Sequence, residues 1–471
     1  MSRTVDLVVI GAGPVGENVA DYAHKSGLSV VIVESELVGG ECSYWACMPS
    51  KALIRSGAAL RAAKRTGGAI PEDTALDPLK VLARRDSFTS DWSDDGQVEW
   101  LQGAGIELVR GHGRLTGERE VTVTAADGST TVLTATHAVA VCTGSAALLP
   151  DIAGLAAVEP WTSREATSVQ TLPASVAFLG GGVVAVELAT AYRSLGVDVT
   201  LVARSGLLGN TEPFAGELVE SSLRELGVTI VHASPTAVSR TADGAVTLEF
   251  DDREAVTTAE LVVATGRTPR TDDLGLETVG LEPGAWIEVD DQLLAHGSDW
   301  LYAVGDVNHR ALLTHQGKYQ ARAAGAVIAA RANGEDVDTS PWSDHAATAD
   351  HRAVPQVVFS EPEVAAVGLT AAQAEAAGID HRVVDYDLGG IAGSSLNADG
   401  YTGQARMVVD EERGVIIGMT FVGQDVAELV HAATIAVVGE VPLHRLWHAV
   451  PSYPTMSEIW LRLLETYRSG A

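Results

Sequence analysis

One pattern occurs twice in this chain of 471 residues. Leu7-Val-Val-Ile-Gly11-Ala-Gly13-Pro-Val-Gly16 aligns with Val176-Ala-Phe-Leu-Gly180-Gly-Gly182-Val-Val-Ala185 at a constant offset of 169. The match runs on without a gap, Gly27 falling on Gly196 and the run Val30 to Val33 on Val199 to Val202. Each copy reads as an apolar strand, a glycine-rich turn, a helix and a second apolar strand, a βαβ unit of about 30 residues. A chain carrying two such units is committed to an α/β architecture with a parallel sheet in each copy. At roughly 150 residues per domain its length adds space for a third domain.

The glycines have separate physical uses. The first permits a tight turn and the second lets backbone approach a pyrophosphate. The third, Gly16 or its counterpart Ala185, lets the helix pack closely on the sheet. The helix N-terminus then offers free N–H groups and partial positive charge to phosphates. The end of the second strand separates the copies. Glu34 stands where an acid grips a ribose 2′-OH, which suits FAD or NAD. Its counterpart is Ala203, followed by Arg204 and Ser205. Loss of the acid and gain of an arginine suits a 2′-phosphate, hence NADP. The alternative reading of Arg204 is a solvated surface arginine.

Gly39-Gly40-Glu41-Cys42-Ser-Tyr-Trp-Ala-Cys47-Met-Pro49-Ser50-Lys51 follows the first unit directly. The two cysteines can close a disulfide if the loop bends back and the second begins a helix, where a thiol becomes more acidic. Pro49 suits a helix start, and Lys51 would lie one turn past Cys47 on the same face. Zinc would need a second ligand pair and haem a C-x-x-C-H motif, and the chain has neither. The remaining alternative is two buried thiols. Cys142, inside an apolar run, reads as a core residue. No metal site is expected.

Further runs organise the rest. Ala138–Cys142, followed by Thr143-Gly144, and Leu261–Ala264, followed by Thr265-Gly266, read as strands; so does Leu301–Val304 before Gly305-Asp306. Ala321–Ala332 reads as a helix. The polar stretch from Ser340 to Arg352 reads as a linker. Beyond it, Gln356–Phe359 and Arg406–Val409 read as strands and Ala427–Val438 as a helix, a third domain of α+β type. The net charge of −30 argues against binding to nucleic acid or an anionic membrane. The first apolar run, Val5–Ile10, contains Asp6 and is too short for a signal peptide, and no run is long enough to span a bilayer. A soluble, cytoplasmic protein is expected.

These motifs together resemble the pyridine nucleotide-disulfide oxidoreductases, the group of lipoamide dehydrogenase, glutathione reductase and mercuric reductase. The resemblance covers nearly the whole chain. It takes in both fingerprints, the G-G-x-C-x4-C-x-P-S-K stretch, Gly111-x-Gly113, Ala264-Thr265-Gly266-Arg267-Thr268-Pro269 and Gly305-Asp306. Val357-Val-Phe359-Ser-Glu-Pro362-Glu363 and Val367-Gly368-Leu369-Thr370 complete it. It implies two Rossmann-like dinucleotide-binding domains and a C-terminal dimerisation domain. The implied segments are 1–154 and 267–345 for FAD, 155–266 for NAD(P) and 353–471 for the dimer. FAD would be held by Gly11, Gly13, Gly16, Glu34, Gly40, Gly113, Thr143, Gly144 and Asp306. NADPH would be held by Gly180, Gly182, Ala185, Arg204, Ser205 and Gly266. Cys47 would be the thiol next to the flavin, Cys42 the outer interchange thiol, and Lys51 and Glu187 a pair near the flavin N5. The homodimer would carry an active site at the subunit interface.

The chain departs from that family at one position. A His-Pro-Thr-x-x-Glu segment is expected near the C-terminus, with the histidine acting on substrate across the interface. Here the stretch is Tyr453-Pro454-Thr455-Met456-Ser457-Glu458. A tyrosine titrates near 10, so about 0.1% is phenolate at pH 7. Its proton reaches a thiolate of pKa about 8.5 only by climbing about 2 kcal/mol. Tyr453 is therefore a donor or orienting hydroxyl, and His448 is the alternative base. Mercuric reductases carry a tyrosine in a similar frame but also a C-terminal cysteine pair, which this sequence lacks. The expected activity is NADPH-dependent reduction of a small disulfide through Cys42 and Cys47. The alternatives are a quinone, metal ion or other electrophile as acceptor, or a lipoamide dehydrogenase-like subunit of a multienzyme complex, against which Arg204 weighs.

Overall fold

The computed structural model describes residues 2–470, which divide into two compact units. The first comprises the chain up to Pro49, Asp86–Leu148 and Arg267–His351; the second comprises Ser50–Arg85, Leu149–Gly266 and the chain from Arg352.

The first unit is built on the N-terminal βαβ repeat. Strand β1 (Ser2–Ile10) leads through Gly11 and Gly13 into helix α1 (Pro14–Lys25) and strand β2 (Val30–Glu34). Leu7–Ile10 of β1 and Val30–Val33 of β2 are runs of branched apolar residues buried on both faces, as parallel strands under helices must be. The sheet continues with β3 (Glu107–Arg110), β4 (His112–Gly117), β5 (Glu120–Thr124) and β6 (Thr130–Val141), in the order β3-β2-β1-β6-β5-β4. Strand Leu301–Ala303 pairs in parallel with the end of β6. The register Leu7 to Ala138 and Ile10 to Val141 brings the C-terminal ends of β1 and β6 level. Ligands of open parallel sheets bind at this edge.

Helix Thr314–Asn333 packs on α1 through small residues. A Cβ on Gly317 would lie 2.5 Å from Val15 Cγ2, and one on Gly325 2.6 Å from Tyr22 Cβ. The polar stretch read as a linker is not a free connection. Gln316 Nε2 and Gln320 Nε2 donate to the two oxygens of Asp350 at 2.7 and 2.9 Å, so a buried carboxylate ties the stretch to this helix. Polarity there reflects hydrogen bonds made inward.

The second unit holds the second repeat. Its parallel sheet runs Thr229–His232, Asp198–Ala203, Ser175–Leu179, Glu260–Val263. Helix Val183–Ser194 follows the glycine turn. Beyond Arg352 a five-stranded antiparallel sheet runs Pro355–Val358, Glu363–Gly368, Val415–Gly423, Gln404–Asp410, His381–Asp387. The last predicted helix spans Leu429–Val438, two residues shorter than read from sequence, because Ala427 N–H is taken by Glu363 Oε2 at 3.1 Å before the helix starts. Among the described residues no helix is long and apolar enough to cross a membrane.

The third glycine of the first repeat generates a prediction. A Cβ on Gly16 would sit 1.9 Å from the Gly11 carbonyl oxygen, a backbone atom that cannot step aside. Gly16→Ala should cost about 1–3 kcal/mol of stability, read from the denaturant midpoint. An unchanged midpoint would show that the turn is looser than described.

Candidate active site

In the first unit the cysteine loop is folded as two helical segments. Helix α2 (Gly40–Tyr44) carries Cys42, and Cys47 is the first residue of helix α3 (Cys47–Lys64). Gly39 and Gly40 lie at φ +106° and +57°, the conformations that bring the chain back from β2. The loop is fixed from several sides. Tyr44 is buried and its hydroxyl donates to Val38 O at 3.0 Å. Trp92 Nε1 donates to Tyr44 O at 3.2 Å, and Arg270 Nη2 reaches Glu41 Oε2 at 3.2 Å.

Cys42 and Cys47 are thiols within hydrogen-bonding reach of one another. Their mutual hydrogen bond, burial and the charge of Cys47 push the Cys42 thiol far above its ordinary range, against a smaller opposite pull from Thr314 and Lys318. Cys47 begins helix α3, the end of a helix that favours an anion. Thr314 Oγ1 lies 3.3 Å from Cys47 Sγ. Thr314 comes from a helix 267 residues away in sequence, and no short motif marks it. Cys142 is buried, with its thiol pushed up by burial alone, which is the core role expected for it.

In the second unit Lys51 Nζ lies 2.7 Å from Glu187 Oε2, the pair expected from the resemblance. Glu187 is buried and its other oxygen accepts the Phe359 N–H at 3.0 Å. The ammonium also sits 5.2 Å from the centroid of the Phe359 ring. A buried carboxylate is thus balanced by one cation and one backbone donor. In the sequence Phe359 was the end of a strand run and a member of the Val357–Glu363 motif, and neither marks its contact with Glu187.

Tyr453 is 77% exposed within the single chain, and His448 is exposed as well. Glu458 is buried, and its Oε1 accepts the backbone N–H groups of Gly393 at 2.9 Å and Thr455 at 3.2 Å. The acid orients backbone around Thr455.

The two glycine turns show the same division of labour. Gly11 and Gly180 lie at φ +101° and +135°. A Cβ there would fall 2.5 Å from Cys142 O and 2.2 Å from Ala264 O, carbonyls at the ends of the neighbouring parallel strands. Gly13 and Gly182, by contrast, cap the following helices; at Gly182 a Cβ would meet nothing within 4 Å, and at Gly13 its nearest neighbour would be Gly40 Cα at 4.0 Å. Neither helix has a side-chain cap on its first N–H groups. Ala185 is fully buried, so the second copy admits the methyl that Gly16 excludes.

A dinucleotide fits the first turn. Thr143 Oγ1 is buried without a hydrogen-bond partner among the described residues, Gly144 beside it lies at φ +72°, and Gly40 approaches Gly13 so closely that a Cβ would lie 2.8 Å from its Cα. Glu34 already accepts the N–H groups of Ala12 and Glu36, each at 2.7 Å, and retains lone pairs for a ribose. Asp306 is pushed up by burial and steadied by the Ser145 hydroxyl at 2.6 Å and by Arg267. Gly113 is a packing position, where a Cβ would press on Val33 and Ile10 at 3.1 and 3.2 Å. In the second unit Arg204 and Ser205 are exposed just past the end of Asp198–Ala203, and Gly266 lies at φ +151°.

Comparison with known proteins agrees with this geometry. The pyridine nucleotide-disulphide oxidoreductase profile matches residues 5–329, and the dimerisation domain of the same family matches residues 354–463. A mercuric reductase of Streptomyces lividans is 31% identical over 98% of this chain and 96% of its own. A dihydrolipoyl dehydrogenase of Halobacterium salinarum is 31% identical over 99% and 96%. LpdA of Mycobacterium tuberculosis superposes with a TM-score of 0.81 at 26% identity, covering 99% of this chain and 100% of that one. The flavoprotein disulfide reductase RclA of Escherichia coli shares the fold, with a TM-score of 0.83 at 21% identity over 98% and 99%. The chain belongs to the pyridine nucleotide-disulphide oxidoreductases, enzymes that bind FAD and a pyridine nucleotide and carry a dimerisation domain.

Proposed function

We propose that this enzyme uses NADPH and passes electrons through the Cys42–Cys47 pair to a small disulfide. The observation that carries the reading is the pair itself: two thiols within hydrogen-bonding reach, one of them at a helix N-terminus and beside the Thr314 hydroxyl. Gly11, Gly13, Gly16, Glu34, Gly40, Gly113, Thr143, Gly144 and Asp306 would hold FAD. The flavin, when bound, supplies two-electron transfer between the nicotinamide and the disulfide. Cys42 serves as the nucleophile toward the acceptor and needs a base to lose its proton. Lys51 and Glu187 keep the roles the resemblance gives them. The segments 1–154 with 267–345, 155–266 and 353–471 are proposed as the FAD, NADPH and dimer parts.

Arg204 supports NADPH over NADH, because it is exposed and follows the strand end where the first repeat has Glu34. A charged hydrogen bond is worth about 1.5–3 kcal/mol. Arg204→Ala should therefore lower the ratio of kcat/KM for NADPH over NADH by about tenfold or more. An unchanged ratio would remove the 2′-phosphate assignment.

One observation favours a second reading, in which the acceptor is a quinone, a metal ion or another electrophile. Tyr453 stands where a histidine would serve, and one oxygen of Glu458 accepts backbone N–H groups. Such acceptors need no proton shuttle at that place. Tyr453→His separates the readings. If a disulfide is the acceptor and the base limits turnover, kcat with glutathione disulfide or lipoamide should rise about tenfold or more. If that activity stays flat and quinone or metal-ion reduction falls, the second reading holds.

A further inference from the structure

We infer that Glu17 and Lys318 form a charge pair that controls how readily the reduced Cys42–Cys47 pair ionises. The inference deepens the proposed function, since it rests on these two cysteines being the redox pair.

Glu17 lies in the first helical turn after Gly16, only 8% exposed, and its Oε1 has no hydrogen-bond partner among the described residues. A buried carboxylate without a donor is costly unless charge nearby compensates it. The close contact of α1 with helix Thr314–Asn333 supplies that charge. Gly317 seats directly on Val15, which brings the next residue, Lys318, beside the first turn of α1. Lys318 also lies one helical turn past Thr314, on the same face, and Thr314 touches Cys47. The Lys318 ammonium acts on both the buried acid and the thiols: its field reaches Glu17 and Cys42.

The other charged or titratable groups facing Glu17 are Glu34 from β2 and Tyr44 from α2. Burial raises Glu17 to about 7, with Lys318 pulling it down and Glu34 pushing it up. The sign follows. Below about pH 7 Glu17 is neutral and the Lys318 charge favours a thiolate. Above that pH the Glu17 carboxylate draws on the same ammonium and disfavours a thiolate. Lys318 is exposed on a flexible stem, so it can lean either way. Lys318 is thus a positioning residue for the redox pair, and Glu17 governs it.

The test is the pH profile of Cys42 alkylation by iodoacetamide in the FAD-loaded, full-length protein after reduction with dithiothreitol, with sites identified by mass spectrometry. Lys318→Met should slow alkylation at pH 7–8 by about threefold, the effect of half a pKa unit. Glu17→Gln should speed it by a similar factor and abolish the inflection near pH 7. Lys318→Arg should keep the wild-type profile. Opposite shifts from the two variants are a signature that general loosening cannot give. Wild-type profiles in both, or shifts in the same direction, would overturn the inference. Should Cys42 alkylate equally well without dithiothreitol, the redox pair itself is misassigned, and the failure lies in the proposed function.

Discussion

Two backbone contacts govern this protein. At the ends of β1 and of its counterpart Ser175–Leu179, a glycine is pressed against the carbonyl of a neighbouring parallel strand, Cys142 O in one case and Ala264 O in the other. Side chains are excluded there by both distance and φ. The chain turns at once into a helix whose first N–H groups have no side-chain cap. The same geometry thus ends the strand, aims the helix and leaves donors for a pyrophosphate.

The redox loop depends on that first contact. Gly40 closes on Gly13, so the turn that would hold the cofactor also positions α2 and its Cys42. Gly317 seats on Val15 just past the same turn, which brings Thr314 to Cys47 and Lys318 to the side of Glu17. A single glycine-rich turn therefore fixes the cysteines and the charges around them. Cys142 is small for the same reason: its Cβ lies 3.3 Å from where a Cβ on Gly16 would be.

The repeat, its βαβ form and the cysteine loop were legible because glycine and cysteine leave short, local signatures. The parts of the site that escaped were long-range. Thr314, Ser145, Lys318 and the Phe359 N–H act through packing between distant segments, and residue type alone did not mark them. The polar stretch before Arg352 ends where the first unit gives way to the second, but its sequence did not show that Asp350 accepts from Gln316 and Gln320 inside the first unit. Glu458 matched its motif in sequence, which did not show that its Oε1 accepts from the backbone of Gly393 and Thr455. A motif fixes spacing along the chain, and only the surrounding backbone decides what a carboxylate accepts.

The central claim is that Cys42 and Cys47 exchange electrons with the flavin through Cys47. Anaerobic titration of the FAD-loaded protein with NADPH tests it directly, with thiols counted at each step. The first equivalent should release two titratable thiols and raise a long-wave absorbance from thiolate-to-flavin charge transfer, and Cys47→Ser should lack that band. Bleaching of the flavin with no new thiols and no long-wave band in the wild type would contradict the account.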